Sequence, residues 1–107
     1  GLGKLSTTPE LMKTSLVRAK EIVTLMSHTR PDGTPCVTAF DQNGVKHNWA
    51  GENIAGGQDT PAEVMEGWMN SPGHRANILR AEFGHIGVGC YQTNGKYGIY
   101  WTQCFDL

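Results

Sequence analysis

Apolar residues in the first part of the chain recur at the spacing of a helix that buries one face. Thr7-Thr8-Pro9-Glu10 supplies a capping hydroxyl, a first-turn proline and an early carboxylate. The apolar positions that follow the helical period are Leu11, Met12, Leu16, Ala19, Ile22, Val23 and Met26. The pattern predicts a helix over about residues 9–27, with His28 at or just past its C-terminal end.

The middle of the chain carries further helix signals. Thr60-Pro61-Ala62-Glu63 is a capping box with proline at the first helical position. The apolar stripe behind it consists of Val64, Trp68 and Met69. This second helix should end near residues 71–73, and a further turn over residues 75–79 should place His74 beside a helix N-terminus. Before these helices the sequence predicts turns at residues 31–33 and 42–44, and a short helix or strand at residues 36–40.

The last third of the chain alternates between apolar and polar residues, as paired strands do. Asn94-Gly95 is typical of a two-residue hairpin turn, which would place Cys90 opposite Ile99. One mostly apolar face should lie against a helix and comprise Ile86, Val88, Cys90, Ile99, Trp101 and Gln103. The other face should be lined by Tyr91, Tyr100 and Thr102. Early helices and a late hairpin predict one α+β domain over residues 1–107, with helices covering an antiparallel sheet.

Length, composition and charge exclude several classes of protein. The 107 residues are enough for one core and leave no room for a second domain. A formal net charge of -1 and a pI near 6.4 provide no basic field for nucleic acid. No apolar run approaches the roughly 18 residues of a transmembrane segment, and these residues contain no charged-then-apolar leader, so we expect neither a membrane span nor a signal peptide among them. Because the chain starts at Gly1, we expect a mature or trimmed product.

The three cysteines do not form a recognisable disulfide or zinc pattern. In the predicted hairpin, Cys90 and Cys104 lie on opposite faces, so a bond between them is geometrically disfavoured. Cys36 can pair with either of them. The odd number leaves at least one thiol free in a monomer.

The candidate chemistry lies in ionisable residues flanked by glycines, because familiar catalytic motifs are absent from the sequence. Glu52 lies within residues 51–57, His74 lies within residues 71–79, and His28 precedes a turn. Two imidazoles and a carboxylate match the ligand set of an open zinc site. A structural alternative stays open, in which the histidines hydrogen-bond helix ends and Glu52 accepts bonds from backbone amides. Weaker candidates are Ser71, His47, Glu63 and Glu66. We expect His85 to be an ordinary strand or loop histidine, and Cys36 has no local motif that supplies a base.

Several ordered motifs together give the chain a close resemblance to the bacterial branch of the CAP superfamily. This superfamily, also called the SCP domain, comprises cysteine-rich secretory proteins, antigen 5 and pathogenesis-related 1 proteins. The motifs are Ser27-His28-Thr29-Arg30-Pro31-Asp32-Gly33, Ala50-Gly51-Glu52-Asn53-Ile54-Ala55, Trp68-Met69-Asn70-Ser71-Pro72-Gly73-His74-Arg75-Ala76-Asn77-Ile78-Leu79, Gly87-Val88-Gly89 and Tyr100-Trp101-Thr102-Gln103. The resemblance implies an α-β-α sandwich with a central antiparallel sheet and an extracellular or cell-envelope location.

The resemblance also implies a cleft lined by two histidines and two acidic residues. His28, Glu52 and His74 match three of these positions, and Ser71 occupies the fourth. A hydroxyl is a poorer metal ligand than a carboxylate, which weakens the case for a complete metal site. Similar proteins carry a further helix before the segment that corresponds to residues 1–5. We therefore expect a second copy, another partner chain or a precursor segment to cover the surface that this helix would bury.

Three functional hypotheses follow from the residues and the resemblance. The leading one is a secreted or cell-envelope binding module whose cleft, formed by His28, Glu52, Ser71 and His74, holds a divalent metal such as zinc or a polar ligand group. In it, His28 and His74 are the metal ligands, with Glu52 nearby. The second is a metal-dependent hydrolase of peptide or cell-wall substrates, with Glu52 as the candidate catalytic residue. The third is a lipid- or sterol-binding module. The identity of the ligand, whether a small molecule, a lipid or a peptide, stays open.

Overall fold

Four helices and three strands make up the described part of the chain. The computed structural model describes residues 5–45, 50–94 and 96–107. The elements in chain order are α1 Pro9–Thr24, α2 Val37–Gln42, β1 Gly51–Gly56, α3 Pro61–Met69, α4 Pro72–Leu79, β2 His85–Gln92 and β3 Ile99–Asp106. The predicted α+β class is confirmed.

The strands form an antiparallel sheet in the order β1-β3-β2, with β3 at its centre. One face of β3 packs against α1, where the Thr102 hydroxyl donates a hydrogen bond to the carbonyl oxygen of Ser15 over 2.5 Å. The other face packs against α3, where Trp101 joins Val64 and Trp68 in one apolar cluster. Helices therefore lie on both faces of the sheet, as the α-β-α sandwich requires.

Helix α1 approaches the sheet closely because β2 carries glycine where the two elements cross. A Cβ atom at Gly87 or Gly89 would collide with the backbone carbonyl groups of Leu11 or Ser15. These glycines lie on the same face of the sheet as Thr102. The predicted apolar face, which includes Trp101, lies against α3. The face of Thr102 contacts a helix as well, because the two glycines leave room for α1.

The helix boundaries differ from the predicted ones at two places. Helix α1 ends at Thr24 rather than near residue 27, because Leu25 is already extended with a φ of -142°. Helix α4 begins at Pro72, so His74 lies in its first turn rather than ahead of it. A proline that stops one helix is also well suited to the first position of the next, since it needs no hydrogen-bond partner there. The short helix or strand predicted at residues 36–40 is a helix, and it spans residues 37–42. A turn follows it, in which Gly44 has a φ of +75°.

The hairpin between β2 and β3 has a different register from the predicted one. Cys90 pairs with Trp101 rather than with Ile99, because the connection spans residues 93–98 and closes with a 2.8 Å hydrogen bond from the Thr93 N–H to the Gly98 carbonyl. A shift by two positions keeps each side chain on its predicted face. Cys90 and Cys104 accordingly lie on opposite faces, and all three cysteines are free thiols.

Candidate functional site

Two adjacent residues of β1 direct their side chains to opposite faces of the sheet. Glu52 pairs with Cys104 and lies on the α1 face, whereas Asn53 pairs with Gln103 and lies on the α3–α4 face. Both side chains are buried. One edge strand therefore supplies a polar group to each of the two helical layers.

On the α1 face, Glu52 is held by a buried arginine and contacts the predicted histidine. Arg18 donates from Nε to Oε2 over 2.7 Å and from Nη2 to Oε1 over 3.1 Å. His28 Nδ1 lies 2.9 Å from Oε1. Since a carboxylate oxygen can only accept a hydrogen bond, Nδ1 carries the proton in this contact. The Glu52 side chain is 1% exposed and that of His28 is 57% exposed, so the imidazole projects from a buried anchor into solvent.

The ion pair continues into a network that joins α1 to the segment carrying His28. Arg18 Nη1 lies 2.8 Å from Glu21, and Arg30 Nη2 lies 2.7 Å from the other oxygen of Glu21. Burial opposes the charge on Glu21, but hydrogen bonds from the two arginines outweigh it and lower the pKa of Glu21. Burial also opposes the charge on Arg18, yet hydrogen bonding and the charge of Glu52 raise the pKa of Arg18. Arg18 and Glu21 are therefore both charged at neutral pH.

On the opposite face, the helix that carries His74 is held by neutral amides. The Asn53 side-chain amide donates to the carbonyl oxygen of His74 over 3.1 Å and accepts from Asn77 over 2.9 Å. Asn77 also donates to the backbone carbonyl of Glu52 over 3.3 Å, and Asn53 contacts Gln103. These bonds fix the first two turns of α4 against β1.

The imidazole of His74 is oriented by Ser71. Nδ1 of His74 lies 2.9 Å from the Ser71 hydroxyl. Burial, with a smaller contribution from the nearby charge of His28, lowers the pKa of His74. The ring is therefore neutral at physiological pH, which is the state that a metal ligand requires.

Among the described residues, one group brings three metal-ligating side chains within 4.8 Å of one another, and it consists of His28, Cys36 and Glu52. The carboxylate of this group already accepts hydrogen bonds from Arg18 and His28. Burial, together with the charge of Glu52, raises the pKa of Cys36 to about 11, so its thiol stays protonated. A cation in this group would also lie beside the Arg18 guanidinium. Glu52 and Cys36 are therefore poor donors for a cation in this group, while Glu52 contacts Nδ1 of His28.

The weaker candidates have structural surroundings or fall outside the description. Glu63 completes a cap, since its backbone N–H donates to Thr60 and its carboxylate accepts from the Asp59 N–H. His85 contacts Asp106 at 2.8 Å, and Glu66 is exposed on α3. His47 lies outside the described residues.

An open groove of about 470 Å³ lies between α3 and α4. Its lining consists of Met69, Asn70, Pro72, Arg75, Ala76 and Leu79. The groove is separate from the contacts of His28 and Glu52, and its lining mixes apolar side chains with a charged one. The lipid-binding hypothesis stays a prediction.

Comparison with known proteins assigns the family. The model of the CAP family, the cysteine-rich secretory protein family, matches residues 1–105. This chain belongs to the CAP family. It is 55% identical over 62 residues to the uncharacterized protein YkwD of Bacillus subtilis, and 42% identical over 67 residues to the uncharacterized membrane protein YlbC of the same organism. These matches cover 58% and 62% of this chain, but only 23% and 17% of the relatives.

Solved CAP and SCP structures share the fold. An extracellular SCP-domain protein from Bacillus anthracis aligns with a TM-score of 0.86 at 28% identity, covering 98% of this chain and 34% of that one. An outer surface protein from Borrelia burgdorferi aligns with a TM-score of 0.73 at 23% identity, covering 97% and 77%. In the described residues, no helix combines the length and apolarity needed to cross a membrane.

The CAP motifs predicted His28, Glu52, Ser71 and His74, and the structure groups them as two contacting pairs. Sequence reasoning did not identify Arg18, Asn53 and Asn77 as the residues that hold these pairs. A signal for the arginine was present, because Arg18 falls on the same helical stripe as Leu11, Ser15 and Ile22, all of them buried. A charged residue on a buried stripe indicates a buried partner.

Proposed function

We propose that this CAP domain is an extracytoplasmic binding module that holds a divalent metal, zinc foremost, between the imidazoles of His28 and His74. The observation that carries the proposal is the state of the two rings. His28 uses Nδ1 on a buried carboxylate and keeps its other nitrogen available on a half-exposed ring. His74 is held neutral by burial, which lowers its pKa. A metal ligand whose second ring nitrogen donates to a carboxylate is a recurring arrangement in zinc proteins.

The extracellular or cell-envelope location rests on the relatives. The Bacillus anthracis neighbour is an extracellular protein and the Borrelia burgdorferi neighbour is an outer surface protein. A zinc ion bound there by two imidazoles and waters would retain open positions for an external ligand. The cover predicted for the surface next to residues 1–5 stays a prediction.

Binding is favoured over hydrolysis by the surroundings of Glu52. A general base must reach a water molecule in a substrate complex. Glu52 is 1% exposed, and its two oxygens accept hydrogen bonds from Arg18 and His28. These contacts support a role for Glu52 in orienting His28 rather than in activating a water molecule.

Calorimetric titration of the metal-free protein with zinc tests this proposal. We expect the native protein to bind zinc and the His28→Ala/His74→Ala variant to lose most of the affinity. His85→Ala is the matched control, because His85 is a partly exposed histidine whose partner is Asp106. Since protons compete with the metal for the imidazole nitrogens, the affinity should fall as the pH is lowered. Equal affinity in the native protein and the double variant would refute the metal site.

A further inference from the structure

We propose that Arg18 is a positioning residue that acts through Glu52 to fix the tautomer of His28, so that Nε2 is the nitrogen presented to the cleft. The proposal deepens the proposed function, because it names the atom that would bind the metal. The tautomer itself can be measured in metal-free protein, so the two ideas can fail separately.

The ion pair between Arg18 and Glu52 has a geometry that fixes the carboxylate. Arg18 is fully buried and contacts both oxygens of Glu52, at 2.7 Å from Nε and 3.1 Å from Nη2. Two nearly parallel contacts from a planar guanidinium fix the plane of a carboxylate as well as its position. The oxygen that faces His28 is therefore held in one direction, 2.9 Å from Nδ1.

The same guanidinium also holds the backbone beside His28. Nη2 of Arg18 also donates to the carbonyl oxygen of Ser27 over 2.6 Å, and Nη1 lies 2.8 Å from Glu21. One side chain thus fixes both the carboxylate that receives the imidazole proton and the residue that precedes the imidazole. A lysine ammonium cannot reproduce this, because it is a point charge without the planar fork.

The orientation of the His28 imidazole decides which of its nitrogens can bind a metal. The ring nitrogen that carries the proton is set by the hydrogen bond it makes, and the other nitrogen is then the ligand. With Oε1 fixed as an acceptor at Nδ1, the lone pair lies on Nε2. Removing such a supporting contact lowers metal affinity by roughly tenfold to hundredfold in zinc proteins.

The test measures imidazole ¹⁵N chemical shifts of the full chain without metal, at about pH 8, where an imidazole of ordinary pKa is neutral. We expect the native protein to show His28 protonated at Nδ1 and Arg18→Lys to gain the Nε2–H form. Zinc affinity of Arg18→Lys should fall roughly tenfold. Arg30→Lys is the matched control, because Arg30 is buried and bonds Glu21 in the same network. This control should keep the native tautomer.

A second variant keeps the test decisive if Arg18→Lys does not fold. In Glu52→Gln, the only acceptor of the amide is its oxygen, and Arg18 offers only donors. The shorter 2.7 Å contact should retain the oxygen at Nε, at the cost of the 3.1 Å contact from Nη2. The amide NH₂ then faces His28, which can only accept from it at Nδ1, and the imidazole switches to the Nε2–H form. Native protein with His28 in the Nε2–H form would overturn the proposal. So would a folded Arg18→Lys, or a Glu52→Gln variant, in which His28 stays protonated at Nδ1.

Discussion

The two candidate histidines, His28 and His74, are held in different ways, although their supports begin at neighbouring residues of one strand. His28 depends on charges, since a buried arginine and carboxylate fix its ring. His74 depends on neutral groups, since Asn53 and Asn77 fix its helix and Ser71 contacts its ring. A buried ion pair is costly to break on one side only, whereas an amide network costs less and does not titrate. The two halves should therefore respond differently to mutation and to pH.

The largest expected effect is on the charged half. Arg18→Met leaves Glu52 buried without its cation, and removing one partner of a buried ion pair costs about 3–5 kcal/mol in the free energy of unfolding. Urea denaturation at neutral pH measures this. Arg30→Met should cost less, because its partner Glu21 is 19% exposed and water can solvate it. Adding Glu52→Gln to Arg18→Met should recover part of the loss. If the two arginine variants lose equal free energy of unfolding, the burial of the carboxylate partner does not determine the cost.

The neutral half should lose less stability when it is broken. Asn53→Ala removes the partner of the His74 carbonyl and of the Asn77 amide, and buried groups left without partners cost about 1–3 kcal/mol. The same denaturation assay applies, with Gln92→Ala as the control because Gln92 carries an exposed amide at the end of β2. If Asn53→Ala loses as much free energy of unfolding as Arg18→Met, the charge of the buried groups does not explain a difference in stability between the two halves.

Local patterns in the sequence predicted the helices because capping and periodicity act over a few residues. Thr8 caps α1 by accepting from the Leu11 N–H over 3.2 Å, and Thr60 does the same for α3. The predicted hairpin register was wrong because the strand pairing stops at Gln92 and Ile99, so the connection is longer than the dipeptide Asn94-Gly95.

The candidate residues His28, Glu52 and His74 could be predicted from family motifs, but their supports could not. Arg18 and Glu52 are 34 residues apart, and their contact arises only when α1 packs on the sheet. Likewise, the opposite orientations of Glu52 and Asn53 matter only once both faces of the sheet are covered. Alternation along a strand predicts two faces but does not say that each one is buried.

The smallest expected effect, and the one that separates the halves most directly, is the response to acid. The pKa of Glu21 lies below its ordinary 4.5 in the folded chain, because hydrogen bonds from Arg30 and Arg18 outweigh burial. The folded chain then binds fewer protons than the unfolded one, so this stabilisation is present above about pH 4.5 and is lost as the pH falls through the folded pKa.

Urea denaturation from about pH 7 to about pH 3 measures this effect. The difference in the free energy of unfolding between native protein and Glu21→Gln should shrink as the pH falls. The difference between native protein and Asn53→Ala should stay constant over that range, because amides do not titrate. Glu66→Gln controls for the loss of one exposed charge. If the Glu21→Gln difference is constant or grows toward acid, the arginines do not stabilise the charged half through Glu21.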